Sequence, residues 1–299
     1  MVWYYTYINY PWHACPGKYT QSQKNKEENN MRKKSITATI ATMVLMLNSL
    51  CLVAGADNSA RQQETCQGDP GYGISNISLE QQLSDYLANP NLTSEQRSAA
   101  ESKINSAIDL RDGKIQTRTT YQTVTLTVTA YTQETNYYCG PATTRQSLNY
   151  LAGYAPSYFP IPSQSELATR LGTTTAGTEW YKIRDYLNGF SFPTFQPHYV
   201  EYSPTSSTDM TDTLYSGLTA SHPILPILQV NTSGNTTILG YSTSGHYMNV
   251  SGIKTENGQV KFQVTDPYRG RIRRSAKYYV SASNLYTITR NHWAKHFLY

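Results

Sequence analysis

Cysteine is scarce in this chain: Cys15, Cys51, Cys66 and Cys139 are the only four in 299 residues. A small exported domain stabilised by disulfides carries a dense, even set of cysteines, so a disulfide framework is excluded as the main source of stability. Two of the four precede Ala56, and the distant Cys66 and Cys139 leave at least one thiol for other use. An excess of one charge is missing as well. The formal net charge is +5, yet from Asp57 onward 19 Lys and Arg face 18 Asp and Glu, so no nucleic-acid partner is implied. One local basic run stands out, Arg269, Arg271, Arg273, Arg274 and Lys277, which reads either as a solvated strand edge or as a polyanion site. Metal-ligand spacing is also absent. His13, His198, His222, His292 and His296 are not spaced as ligands with one another or with the acids, so neither a metal nor another cofactor is expected.

The chain has one long apolar run. Met31-Arg32-Lys33-Lys34 leads into Ile36 to Val53, and Ala54-Gly55-Ala56 closes it. A positive start, an apolar middle and a small-x-small site describe a signal peptide over 31–56, cleaved after Ala56. The competing reading, an uncleaved anchor, suffers from the run's threonines and Asn48. A secreted or extracytoplasmic protein with no stable membrane anchor is expected. Residues 1–30 form an upstream extension, disordered or not translated, with Met31 as the start.

Residues 57–115 read as a polar tail followed by a helical hairpin near 79–88 and 94–111, either a removable pro-segment or a lasting part of the protein. Ser78-Leu79-Glu80 and Thr93-Ser94-Glu95 supply the capping residues and early acids of its two helices. Residues 116–299 form the main domain. From Gln122, Val124, Leu126, Val128 and Ala130 alternate with threonines, which predicts a half-buried strand. Helices are expected from Cys139 and over 164–171, 179–188 and 208–219. Strands are expected over Ile224 to Val230, Tyr247 to Ile253, Val260 to Thr265 and Lys277 to Val280. Helices first and an antiparallel sheet after make an α+β domain.

Cys139 opens a helix, where the positive end of the macrodipole favours a thiolate nucleophile. Gly140 permits close approach of a substrate, and Pro141 is tolerated in a first helical turn. A buried thiol that merely packs is the alternative for Cys139 alone. In the strand around His246, that residue shares a face with Met248 and Val250; in the next, Asp266 ends the stripe Val260, Phe262, Val264. Glu256-Asn257-Gly258 suits a three-residue loop with Gly258 in a left-handed bulge, pairing Thr255 with Gln259. Val250 then opposes Val264, Met248 opposes Asp266, and His246 and Asp266 become diagonal neighbours about 7 Å apart at Cβ. A two-residue loop would place the stripes on opposite faces. Nucleophile, base and orienting acid are the minimum for thiol acyl transfer. His222, the competing base, lacks an acid at hairpin spacing. Gln133, six residues before Cys139, can bring its amide to a developing oxyanion together with the Cys139 N–H.

Gln133 through Ala142 (Gln-Glu-Thr-Asn-Tyr-Tyr-Cys-Gly-Pro-Ala), Gly245-His246-Tyr247 and Asp266-Pro267-Tyr268 resemble the peptidase C39-like family of papain-type cysteine peptidases. Ser165-Glu166-Leu167-Ala168, Gly177-Thr178 and Leu187-Asn188 resemble the segment between its Cys and His. The likeness runs over roughly 120 to 290. It implies a papain-like α+β fold, with N-terminal helices packed on an antiparallel sheet. It also implies a Cys139, His246, Asp266 triad with Gln133 at the oxyanion hole, acting on a peptide or protein substrate. Two other functions stay open: an idle peptide-binding module on this fold, and an acyltransferase or transpeptidase using the same thioester. Asn-x-Ser/Thr sites stand at Asn76, Asn91, Asn231, Asn235 and Asn249.

Overall fold

The computed structural model describes residues 77–114, 120–155, 157–192 and 195–299, which lie in one compact unit, Arg61–Tyr299. The expected extension, signal peptide and polar tail, with Cys66 and Asn76, fall outside the described residues. The helical hairpin forms as expected: α1 is Leu79–Leu87 and α2 is Ser94–Arg111. Ser78 caps α1 by accepting from the Gln81 N–H, and Thr93 and Gln96 form a reciprocal capping box on α2. Such caps satisfy donors that a first helical turn leaves over, for about 1 kcal/mol each. Ala100, Ile104 and Ala107 of α2 are buried on one helix face. Gln82 of α1 reaches the main chain of Glu201, donating to its carbonyl at 3.0 Å and accepting from its N–H at 2.8 Å.

The alternating run after Gln122 forms a shorter strand than expected. Only β1 (Val124–Thr125) enters the ladder, on β4 (His246–Glu256), with one further bond from Leu126 N–H to Ser251 O. The reason is a shared edge: the Val250 N–H already donates to Pro226 O, and β3 (Ile227–Val230) occupies that side of β4 over His246 to Asn249. β3 is itself shorter than expected, because Pro223 and Pro226 have no N–H to give a ladder. Helices α3 (Cys139–Leu151), α4 (Gln164–Arg170), α5 (Trp180–Asn188) and α6 (Ser207–Thr219) agree with the pattern within a residue or so.

β2 (Glu201–Tyr202), β5 (Gln259–Thr265), β6 (Lys277–Ser281) and β7 (Phe297–Leu298) complete an antiparallel sheet in the order β2-β7-β3-β4-β5-β6, with β1 beside β4. The sequence pattern did not announce α7 (Ala282–Arg290), which starts at the Ser281 cap and buries Leu285 and Ile288. Helices thus pack on an antiparallel sheet, as the α+β reading requires.

The β4–β5 hairpin corrects one expectation. Its loop has two residues, Asn257 and Gly258, both at positive φ (51° and 73°), and Glu256 pairs with Gln259. This is the twist-matched two-residue turn favoured in hairpins. The parity that it would spoil is restored by a bulge at Ser251, between the pairs Gly252–Gln263 and Val250–Val264. Val250 therefore still opposes Val264, and His246 and Asp266 still meet.

Candidate active site

Cys139 is the first residue of α3 and is completely buried. The preceding residue, Tyr138, gives no side-chain cap, so the helix N-terminus is presented to the thiol and not to a hydroxyl. Gly140 is explained differently from the expectation. A Cβ there would lie 2.4 Å from Oγ1 and 2.6 Å from Cβ of Thr178, so glycine admits the Gly177-Thr178 turn against α3, not a substrate. That turn is held by a 2.8 Å bond between the Thr173 and Thr178 hydroxyls and by the Tyr247 hydroxyl, which donates to Thr178 O at 2.9 Å.

A buried polar network fastens α3 to β4. The Asn249 amide donates to Thr143 O at 3.0 Å and to Gln146 Oε1 at 2.9 Å, and its oxygen accepts from Ser147 Oγ at 3.1 Å. Thr143 Oγ1 donates to Tyr247 O at 3.1 Å. The strand bearing His246 is thus bonded to the helix bearing Cys139 over the first turns of that helix. Asn249 is 0 % exposed, so this sequon cannot carry a glycan in the folded chain.

His246 Nε2 lies 2.9 Å from Asp266 Oδ1, and both side chains are buried. Burial acts to lower the imidazole's pKa, but the Asp266 charge, the Asp266 hydrogen bond and a hydrogen bond with Cys139 together raise it to about 9. The same pairing holds the Asp266 carboxyl below its ordinary value against the opposing effect of burial. Two phenols grip the other carboxylate oxygen: Tyr241 donates to Oδ2 at 2.8 Å and Tyr278 at 2.7 Å. The main-chain N–H of Tyr268 adds a 2.9 Å bond to Oδ1. With both oxygens held, the carboxylate cannot swing away from the imidazole. Burial and the Asp266 charge push the Tyr278 phenol well above its usual range, so it remains a donor. The rings of Tyr241 and Tyr268 stand edge-on to His246, 5.7 and 6.3 Å between centroids.

Gln133 is 1 % exposed, and its side-chain amide donates to Thr135 O at 2.8 Å. Its loop is braced by the segment that follows Asp266. Gln133 N–H donates to Pro267 O at 3.0 Å, Arg271 donates to Glu134 O at 2.8 Å, and Gly270 packs tightly on Thr132. The structure therefore brings Cys139, His246 and Asp266 together and ties the Gln133 loop to the Asp266 loop.

His222 does not join them: its ring stacks on Phe195 at 5.0 Å and takes no part in the Asp266 network. Sequence reasoning missed Tyr241 and Tyr278. Tyr278 lies on an expected strand, but nothing in the sequence marked either hydroxyl as a partner of the acid. Among the described residues, no cluster of three or more His, Cys, Asp or Glu is arranged to hold a metal. No helix among them is long and apolar enough to cross a membrane.

A helix-borne thiol facing a strand-borne imidazole and its acid, on this α+β frame, defines the papain-like cysteine peptidase class. The model of the Peptidase_C39-like family matches residues 125–292, and the chain belongs to that family. No curated protein matches the chain. Among solved structures it is similar to the peptidase domain of Streptococcus ComA, a bi-functional ABC transporter involved in quorum sensing. That match has 16% identity over 57% of this chain and 95% of that one, with a TM-score of 0.33. It is also similar to the recombinant stem bromelain precursor (11% identity, 94% and 93% covered, TM-score 0.43). A third is digestive procathepsin L 3 of Tenebrio molitor larval midgut (10% identity, 75% and 99% covered, TM-score 0.40).

Proposed function

We propose that this chain is an exported cysteine hydrolase that cleaves peptide or amide bonds, with Cys139 as nucleophile and His246 as its proton partner. Asp266 orients and charges the imidazole, and Gln133 with the Cys139 N–H stabilises the oxyanion. The observation that carries this reading is the position of one buried imidazole, bonded to Asp266 at 2.9 Å and also hydrogen-bonded with Cys139.

The Cys139 proton resides on His246, and the thiolate attacks the carbonyl carbon of the scissile bond. The carbonyl electrons move to oxygen, where the two N–H donors meet the developing charge. As the tetrahedral species collapses, the C–N bond breaks and the imidazolium gives its proton to the leaving amine. Water then attacks the thioester with His246 taking its proton, and Cys139 leaves as thiolate. An amine in place of that water would make the chain an acyltransferase.

Cys139 is 0 % exposed, so a peptide reaches it only after the site opens. This burial favours a second reading, a fold that binds peptide without turnover. The test is the alkylation rate of Cys139 by iodoacetamide at neutral pH in the full chain, compared with Cys139→Ala, Cys66→Ala and His246→Ala. Fast labelling at Cys139 that slows without His246 supports the hydrolase. Labelling at the rate of an ordinary thiol, indifferent to His246, leaves the binding protein.

A further inference from the structure

The basic run Arg269 to Lys277 is not the strand edge that its sequence allowed. Most of it lies in the loop between β5 and β6, directly after Asp266, and only Lys277 enters β6. The loop turns on itself through Arg271 N–H to Tyr268 O, Arg273 N–H to Gly270 O and Arg274 N–H to Arg269 O. It is fixed to both flanks of the candidate site. On one side Arg271 holds Glu134 O beside Gln133; on the other the Arg274 guanidinium contacts Gly240, next to Tyr241 of the Asp266 clamp.

Three of these cations have structural contacts: Arg269 stacks 3.8 Å over the Tyr278 ring, Arg271 bonds Glu134 O, and an Arg274 guanidinium nitrogen lies 3.5 Å from Gly240 O. Arg273 and Arg274 are exposed, with Arg273 held at φ 55° at the turn. Some surface cations, Lys254, Lys261 and Arg111, meet carboxylates at 2.6 to 2.8 Å. Among the described residues, no carboxylate forms an ion pair with Arg273, Arg274 or Lys277.

We infer that this loop selects acidic peptide segments, with Arg273 and Arg274 meeting substrate carboxylates at the rim of the Cys139 site. The inference names a substrate class and rests on the hydrolase reading. An extended polyanion is disfavoured, since its binding draws on many cations in a stripe and here two exposed arginines stand on one loop of a chain that is nearly charge-balanced from Asp57 onward. A short acidic segment needs only a few contacts within a Debye length of about 8 Å at physiological salt.

The test is fluorescence anisotropy of labelled hexaglutamate and hexalysine on the full chain carrying Cys139→Ser, with and without Arg273→Glu and Arg274→Glu. Hexaglutamate is expected to bind more tightly than hexalysine and to weaken as salt is raised. It should lose roughly tenfold in affinity in the double-Glu variant, as two rim contacts turn repulsive. Saturating hexaglutamate should also slow iodoacetamide labelling of Cys139 in the unsubstituted chain. Equal binding of the two peptides, or no loss in the double-Glu variant, overturns the proposal. So does tighter binding of a heparin oligosaccharide or of phosphatidylserine vesicles to the same arginines, which would mark a general polyanion surface. If hexaglutamate binding depends on the arginines while Cys139 labels as an ordinary thiol, the hydrolase reading fails and the loop stands as an acidic-peptide surface. If Cys139 is activated and hexaglutamate does not bind, the loop proposal alone falls.

Discussion

Replacing Asp266 by Asn tests the charge logic of the site with little change in shape. His246 is raised from 6.5 to about 9 although burial opposes that rise, and the Asp266 charge and hydrogen bond are the first contributions that oppose burial. A rise of that size corresponds to about 3 kcal/mol in favour of the imidazolium. In Asp266→Asn the counter-charge is gone, burial prevails, and the imidazole is neutral at pH 7. Cys139 must then keep its own proton. A thiol with an ordinary pKa near 8.5 is about 3 % thiolate at pH 7, so alkylation of the variant should be about 30-fold slower than in the unsubstituted chain. The assay is the iodoacetamide rate followed across pH. The unsubstituted chain should hold a level rate through neutral pH and change as His246 loses its proton near pH 9. The variant should instead rise through the ordinary thiol range. Equal rates at pH 7 with superimposable profiles would refute the claim that Asp266 sets the charge on His246.

Three further outcomes follow from the geometry. Gln133→Ala should lower kcat by about 100-fold to 1000-fold, as loss of an oxyanion donor does, while leaving the iodoacetamide rate of Cys139 nearly unchanged because alkylation builds no oxyanion. Asn249→Ala leaves Ser147 Oγ, Gln146 Oε1 and Thr143 O without their buried partner. It should cost about 3 kcal/mol in urea unfolding and slow Cys139 alkylation as α3 and β4 part; a loss under about 0.5 kcal/mol would count against the network. Stability should fall as pH drops below 6.5. Burial lowers His198 and His292 to about 3, so below 6.5 the unfolded chain takes up protons that the fold refuses, for up to about 1.4 kcal/mol per pH unit per histidine. Above that pH two groups oppose each other: the His246 contribution is full below 6.5 and is lost as pH rises through about 9, whereas burial lowers Lys103 to about 7, so its cost is relieved as pH rises from there. Thermal midpoints that hold level as pH falls from 6.5 to 4.5 would contradict this.

Much of the site was legible because its constraints are local or periodic. Cys139 opens its helix as read, since Gly140-Pro141 and the apolar spacing that follows specify a start. The pairing of Val250 with Val264 was also foreseen, but by the wrong device. Core burial fixes the parity of a hairpin and does not say where the extra residue sits: a bulged loop at Gly258 and a tight turn with a bulge at Ser251 give the same alignment of His246 with Asp266. The strand after Gln122 was overestimated for a different reason. Its alternation is genuine, with Val128 buried, but the edge of β4 that it seeks is taken by β3, a competition between distant segments. The clamps on Asp266 and Asn249 were illegible for the same reason. Tyr241, Tyr278 and Ser147 are ordinary residues in their own neighbourhoods and acquire partners only when the sheet and α3 are assembled.

Gln82 completes the main chain of Glu201 as a neighbouring strand would, and β2, to which Glu201 belongs, is an edge strand of the sheet. An exposed strand margin is a template on which other chains add. The α1–α2 hairpin is thus a guard against self-association as well as a support for the core. A proteolytic cut that released it would uncover that margin together with the surface now covered by Ile104 and Ala107. A cut before Ser78 would leave the margin sealed.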